Sequence, residues 1–346
     1  MKNLKYRLFQ LFIAGVSFIG LSTICVGQAT PNRCLLALSK TDHMLAILDP
    51  TDLKVLVRIP VGEDPHEVIA SADGRTAYVS IYGGGSLHEI NIIDLVAQKP
   101  LQNIDTRPLF GPHGLTFADG KVWFTAEGSK AVGRLDPATG KLDWCMGTGQ
   151  DRTHMIYVTA DGKKVYTTNV SSATVSILTD TLIQPGKMAP PSAKPREEWV
   201  QTAVGVAGGS EGFDVSPDGR ELWAAGSVDG TISIIDVGTK KLAAKIDAKV
   251  TGANRLKFTP DGSRVFISSL QSGELTIYDA RSRKEVKRMN IGHGAAGILM
   301  DPDGSRVFVA CSADNYVAVI DLNTLEVTKH IDVGGVPDGL AWAVRQ

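Results

Sequence analysis

Three histidines and one glutamate are the residues of this chain best suited to bind a metal ion or to move protons. His66, His113, His154 and Glu211 occupy the same place in four successive repeats of the sequence, shortly before a recurring turn. Neutral imidazoles with a carboxylate form the ligand set that zinc and other transition metals favour. The same groups also suit proton transfer.

The remaining repeats carry other residues at this position, so the complete set is a ring of unlike groups. The other members are Asn254, Ala296 and Asp338. The next residue is glycine in four repeats, and the other three replace it with Glu67, Met155 and Arg255. Large side chains at a place where backbones crowd together predict a specific filling.

Further basic side chains are expected near the same place. Arg107 and Arg152 each lie a few residues before one of the histidines, where they could pair with an anion. His293 lies shortly before Ala296 and could substitute for it. Three interpretations stay open: the polar ring coordinates only water, it binds a divalent metal such as zinc or calcium, or it is a metal-free acid and base site.

These residues are positioned by a repeated β unit. An Asp-Gly turn recurs six times, with its aspartates at Asp73, Asp119, Asp161, Asp218, Asp261 and Asp303. The separations of 42 to 57 residues are close to the ~40 to 45 residues of a four-stranded propeller blade. A strand with an aromatic or β-branched pair follows each turn, a second strand ends in aspartate, and a third closes on glycine. The sequence therefore predicts an all-β propeller, in which the ring of unlike groups lies at the channel mouth.

The two ends of the chain together supply one more blade. The segment from Cys34 to Val61 provides three strands without the Asp-Gly turn, and the chain finishes with a lone inner strand from Gly339 to Ala343. Pairing them gives seven four-stranded antiparallel blades and closes the ring.

The units resemble the YVTN family of β-propeller repeats. The segment from Pro302 to Gly339 carries the family pattern, with Pro302-Asp303-Gly304, Phe308-Val309, Val319-Ile320-Asp321, Val333-Gly334 and Pro337-Asp338-Gly339. The resemblance extends over roughly the whole chain after its first segment. It implies a bacterial surface or periplasmic propeller, and related rings serve lactonases, lyases and dehydrogenase subunits, so it does not select one function.

Composition supports a large domain without a nucleic-acid surface. The chain has 346 residues, of which 43% are hydrophobic and 21% charged, with a net charge of -1. These values allow a sizeable core. No basic run with interleaved aromatic residues occurs, so we expect no nucleic-acid partner. We expect a monomer whose partner at the mouth is a small molecule or a protein.

The first segment reads as a secretory signal. Lys2, Lys5 and Arg7 precede an apolar run, and Gly27-Gln28-Ala29 supplies the small residues of a cleavage site. We expect residues 1–29 to be removed by cleavage after Ala29, leaving residues 30–346 as a periplasmic or secreted propeller without a membrane span. Acylation at Cys25 and an uncleaved anchor are the alternatives.

One irregular stretch departs from the repeat. Residues 181–199 contain four prolines among basic residues and account for the longest repeat interval. We interpret them as a Pro-rich insertion loop on the face opposite the mouth.

Functional motifs of other classes are missing. The sequence contains no nucleophile elbow, phosphate loop, dinucleotide fingerprint or haem-attachment motif. The sequence favours an exported scaffold that binds a ligand or a protein at a His-lined mouth. The alternatives are a metal-dependent, lactonase-like hydrolase or lyase using the same groups, and a subunit of a periplasmic redox complex.

Overall fold

The computed structural model describes residues 28–345, which form seven four-stranded antiparallel blades. The predicted signal segment, except for its last two residues, and Cys25 lie outside the described residues. In blade 1 the C-terminal strand pairs with the first strand of the chain, and Leu35 lies opposite Trp342. The prediction of seven blades closed by the C-terminal strand is confirmed.

In every blade the strands follow one another from the innermost, at the channel, to the outermost. Blade 1 contains Pro337–Val344, Arg33–Ser39, Met44–Leu48 and Val55–Pro60. Blade 2 contains Pro65–Ala70, Thr76–Ile81, Glu89–Asp94 and two short outer segments, Lys99–Pro100 and Ile104–Asp105. Blade 3 contains Pro112–Ala118, Lys121–Ala126, Ala131–Asp136 and Lys141–Gly147. Blade 4 contains Thr153–Val158, Lys164–Asn169, Thr174–Ile183 and Arg196–Gly205.

The last three blades are more regular. Blade 5 contains Ser210–Val215, Glu221–Gly226, Thr231–Asp236 and Lys241–Asp247. Blade 6 contains Ala253–Phe258, Arg264–Ser269, Glu274–Asp279 and Lys284–Asn290. Blade 7 contains Ala295–Met300, Arg306–Cys311, Tyr316–Asp321 and Glu326–Ile331. Two 3-10 turns, Gly83–Gly85 and Glu127–Ser129, join second to third strands in blades 2 and 3.

Local chemistry explains why the Asp-Gly turn recurs. In blade 5 the Asp218 carboxylate accepts a hydrogen bond of 3.0 Å from the amide of Arg220, and Gly219 has a φ of +72°, which favours glycine. The aromatic residue of the strand that follows is fully buried, as at Trp223 and Phe266. The strand that follows each turn therefore places a large aromatic side chain in the packed layer between neighbouring blades.

The ring closure is reinforced at its seam by a buried carboxylate. Asp301 of blade 7 is fully buried and pairs with Arg33 of blade 1 and with Arg306, the latter at 2.9 Å. Trp342 donates its indole N–H to the carbonyl of Met300 over 2.9 Å. These contacts tie the two ends of the chain to the last complete blade.

The irregular stretch of blade 4 differs from the predicted insertion loop. The third and outer strands pair along ten positions, from Thr174 opposite Gly205 to Ile183 opposite Arg196, so only residues 184–195 are outside strands. The ladder extends because β-forming residues continue on both sides and Trp199 packs against Trp144 at a ring-centroid distance of 4.8 Å. Among residues 28–345, no helix is long and apolar enough to cross a membrane.

Candidate functional site

The seven aligned positions of the inner strands meet in one cavity of about 270 Å³. We call this cavity and the side chains around it the mouth. The positions that line it are Asp338, His66, His113, His154, Glu211, Asn254 and Ala296, in blade order from 1 to 7. Arg152 and Arg255 line it as well.

Hydroxyl groups on the second strands fix the backbone of these positions. Ser80 of blade 2 donates to the carbonyl of His113 in blade 3 over 2.7 Å, and Thr168 of blade 4 donates to the carbonyl of Glu211 in blade 5 over 2.9 Å. Thr125 makes the same bond to the next blade. In each of these mouth residues the backbone carbonyl is therefore fixed by a hydroxyl group of the preceding blade. These bonds position the side chains before any ligand binds.

The three imidazoles lie against one another. The ring centroids of His66 and His113 are 4.6 Å apart, and those of His113 and His154 are 3.8 Å apart. Tyr82 contacts both His66 and His113 edge-on, at 4.7 and 5.0 Å. Burial, followed by the nearby His154 and His66, lowers the pKa of His113 well below its ordinary value, so this ring is neutral.

His154 and Glu127 form an imidazole and carboxylate pair. The ring Nδ1 lies 2.7 Å from Oε2 of Glu127, whose other oxygen accepts a hydrogen bond from the Tyr82 hydroxyl. Burial works against ionisation of Glu127, but the hydrogen bonds from His154 and Tyr82 outweigh it and lower the pKa of the carboxyl. The bond to Nδ1 leaves Nε2 of a neutral His154 as a proton acceptor.

A second polar group surrounds His66 on the blade 1 side. Its Nε2 lies 2.8 Å from Nζ of Lys40 and 2.9 Å from Oδ1 of Asp64. Nζ of Lys40 is also 3.6 Å from Oδ2 of Asp338. The hydrogen bond from His66 lowers the pKa of Asp64, which is therefore ionised.

A buried ion pair crosses between blades 6 and 2. Nη2 of Arg255 lies 2.5 Å from Oε1 of Glu67 and 3.7 Å from Oδ1 of Asp338. Burial would lower the pKa of Arg255, but the negative charges of Glu67, Asp338 and Glu211 raise it above its ordinary value. The guanidinium therefore stays charged, and the residues that replace glycine in these two blades join opposite parts of the ring.

The carboxylate of Glu211 is already engaged by neighbours. It accepts hydrogen bonds from Asn254 over 2.6 Å and from Arg152 over 3.2 Å, and Oε2 is 3.9 Å from Nε2 of His154. His66 is likewise engaged, by Lys40 and Asp64. Among the described residues, no group of three or more His, Cys, Asp or Glu side chains has an arrangement that could hold a metal ion. The shared ion predicted for His66, His113, His154 and Glu211 stays a prediction.

Two predicted members of the site lie elsewhere. Arg107 is exposed and its guanidinium is bound by Asp105, two residues earlier in the chain. His293 has a side chain 77% exposed and is held by Asp314, with Nδ1 3.0 Å from a carboxylate oxygen. In both cases a nearby aspartate binds the basic side chain outside the mouth. Neither Arg107 nor His293 lines the cavity.

Several side chains of the mouth were not predicted as site residues. Lys40, Tyr82 and Glu127 each follow directly after the second strand of their blade. Leu270 and Ser312 occupy the same position in blades 6 and 7 and also line the cavity. Aligning this second position across the repeats would have found them.

Solved structures with a similar fold have different activities. A protein from Bacteroides fragilis predicted to be a 6-phosphogluconolactonase is 17% identical, with a TM-score of 0.70, and the match covers 91% of this chain and 99% of that one. Hydrazine synthase from Kuenenia stuttgartiensis is 16% identical, with a TM-score of 0.65, and the match covers 80% of this chain and 89% of that one. The dihydro-heme d1 dehydrogenase NirN in complex with DHE is 17% identical, with a TM-score of 0.61, and the match covers 90% of this chain and 75% of that one.

The chain shares a fold with these proteins. At these identities the likeness shows the fold alone. No family model matches the chain, and no curated protein matches it in sequence. The function must therefore be inferred from the side chains of the mouth.

Proposed function

We propose that the protein binds a small polar organic molecule in the mouth. The observation that carries this proposal is a pair of buried polar atoms of the mouth that have no hydrogen-bond partner among the described residues, Nδ1 of His113 and Oδ1 of Asp338. Buried polar groups are nearly always satisfied, so each such group calls for an explanation. A ligand that exchanges hydrogen bonds with both supplies one.

The size of the cavity supports a small ligand. Its volume of about 270 Å³ lies just below the range of ~300 to 1,000 Å³ found for drug-sized molecules. The groups that surround it are held by the ring on both sides, since they come from all seven blades. Such a rigid, convergent set of polar groups suits selective binding at low ordering cost.

Hydrolysis or lyase chemistry on the bound molecule is the second candidate function. Its support is the pair of His154 and Glu127, in which the carboxylate orients the ring and leaves Nε2 as a base. The fold similarity to a predicted 6-phosphogluconolactonase makes lactones the first substrates to assay. The interpretation as a redox-complex subunit gains no support from the geometry of residues 28–345. We further propose that the protein is exported and monomeric.

The test compares binding by two histidine variants of the purified protein. A library of small polar compounds is screened by thermal shift, and hits are measured by calorimetry with His154→Gln and His330→Gln. His330 is exposed on the outer strand of blade 7 and stacks on Tyr316 at 4.1 Å, far from the cavity lining. We expect His154→Gln to weaken binding at least tenfold and His330→Gln to leave it unchanged. Equal affinities for both variants would remove the mouth as the binding site.

The catalytic candidate is tested separately. Release of acid from uncharged and phosphorylated sugar lactones is followed in a pH-stat, with Glu127→Gln as the variant that keeps the shape of the dyad without its charge. Turnover lost in Glu127→Gln but not in His330→Gln supports general base catalysis. Binding without turnover of any lactone leaves the protein as a binding propeller.

A further inference from the structure

A few aliphatic side chains line the mouth among its polar groups, on the blades that carry no histidine there. The imidazoles come from blades 2, 3 and 4, whereas Leu270, Ala296 and Val336 line the cavity from blades 6, 7 and 1. Leu270 is 45% exposed and Val336 is 37% exposed. We call Leu270 and Val336 the apolar lip. A pair of exposed aliphatic side chains beside a buried polar cluster suits a ligand that is itself polar at one end and apolar at the other.

The backbone of Val336 shows that this side chain is placed at a conformational cost. The residue before each inner strand has a left-handed φ between +51° and +72° in all seven blades. Four blades use the glycine that this conformation favours, and the other three have Asp64, Arg152 and Val336. A β-branched residue is the least suited of these to positive φ.

The side chains of the three residues that replace glycine all lie at the mouth. Asp64 pairs with His66, Arg152 pairs with Glu127 and Glu211, and Val336 lines the cavity. The valine makes no polar contact through its side chain and remains partly in solvent, so burial does not offset its strain. Its side chain is therefore best explained by a contact made to something that enters the mouth.

The charges of the mouth disfavour an anion. Each of its three cations lies within 4 Å of two carboxylates: Lys40 of Asp64 and Asp338, Arg152 of Glu127 and Glu211, and Arg255 of Glu67 and Asp338. No cation of this set is free of carboxylates, and five carboxylates face these three cations. A phosphate or carboxylate entering here would meet excess negative charge.

The polar end of the ligand is defined by the unpartnered acceptor. Oδ1 of Asp338 is buried and has no hydrogen-bond donor among residues 28–345, because Arg255 and Lys40 approach this carboxylate only to 3.7 and 3.6 Å. Two cations so close also oppose an ammonium group at this oxygen. The donors that remain are uncharged ones, and among these we choose the hydroxyl group as the simplest.

We propose that the mouth binds an uncharged, hydroxyl-bearing compound with an apolar portion, and that it rejects phosphate esters and carboxylates. The hydroxyl donates to Oδ1 of Asp338, and the apolar portion packs against Val336 and Leu270. This inference rests on the proposed binding function and names its ligand class.

The experiment uses four probes that share a phenyl group and differ in the polar end. Phenyl glucoside, phenyl phosphate, benzoate and phenethylamine are titrated into the full-length purified protein at pH 7.5 and followed by ligand-observed NMR. We expect binding of phenyl glucoside alone. Val336→Gly should weaken it about tenfold, as expected for loss of an aliphatic contact, without lowering the melting temperature, because glycine suits the left-handed backbone.

Val228→Gly is the matched control, since Val228 is 73% exposed and lies in a loop outside the cavity lining. It should bind the probe as the parent does. Preferential binding of phenyl phosphate or benzoate, or equal affinity of Val336→Gly and Val228→Gly, overturns this inference. If His154→Gln abolishes binding of the screened hits while Val336→Gly has no effect, the proposed binding function stands and the ligand class is wrong. If no probe binds, the ligand class is wrong as well, and the thermal-shift screen decides the binding function alone.

Discussion

Removing the largely buried carboxylate of Glu67, whose side chain is 15% exposed, should destabilise the ring much more than removing an exposed one. Among the described residues, Glu67 provides the only charged hydrogen bond of Arg255, over 2.5 Å, and the other two acceptors are neutral oxygens of Asn254 at 3.1 and 3.3 Å. Breaking a buried ion pair by losing one partner costs ~3 to 5 kcal/mol. Asp338 remains 3.7 Å from the guanidinium, so we expect Glu67→Leu to cost about 3 kcal/mol, the lower end of that range.

The measurement is a double-mutant cycle in urea, followed by tryptophan fluorescence. Arg255→Met should be similarly destabilising alone, whereas Glu67→Leu with Arg255→Met should return to within about 1 kcal/mol of the parent, because two apolar side chains replace the pair. Glu63→Leu is the control, since Glu63 is exposed in the same blade, and should change stability by less than ~0.5 kcal/mol. If Glu67→Leu matches this control, or if the two single losses simply add, the ion pair does not hold the mouth together.

Three further predictions concern closure, pH and processing. Deleting the residues after Gly334 removes the strand that closes blade 1 and should lower the melting temperature strongly; a truncated chain that melts with the parent would contradict closure. Glu127→Gln should reduce stability at pH 7, and the difference should shrink as the pH falls below the ordinary carboxyl pKa of ~4.3, because a lowered native pKa stabilises only above the unfolded value. A difference that stays constant from pH 7 to pH 3 would disprove that role. Mass spectrometry of exported protein should find Thr30 as the first residue, and a chain retaining Met1 would exclude cleavage.

The blade count and the inner ring of the mouth could be predicted because both follow from the repeat. The Asp-Gly turn is a local structure in which Asp218 binds a backbone amide two residues away, so its chemistry is visible in the sequence. Once the turns are aligned, topology alone brings His113 and its equivalents to one end of the inner strands. No knowledge of side-chain contacts is needed for that step.

The contacts within the mouth could not be predicted, since they depend on neighbours outside that alignment. Arg107 and Arg152 look alike in sequence, each a few residues before a histidine. Only Arg152 stands directly before an inner strand, where a left-handed φ of +55° directs it to Glu127 and Glu211. Arg107 lies in an earlier loop beside its own Asp105. Position within the blade, rather than distance along the chain, decides which arginine reaches the site.

Within the inner strands, the departures from the repeat are concentrated at the end that forms the mouth. At that end Val336 adopts a backbone that glycine would accept more easily, Arg255 stands where four blades have glycine, and Oδ1 of Asp338 is buried without a donor among the described residues. At the other end the Asp-Gly turns keep the same hydrogen bonds in blade after blade, as at Asp73, Asp161 and Asp303. Features that weaken local consistency persist in proteins where function requires them. Strained and unsatisfied groups are therefore gathered at the mouth end of the inner strands, and this division of the molecule is the strongest reason to place ligand binding there.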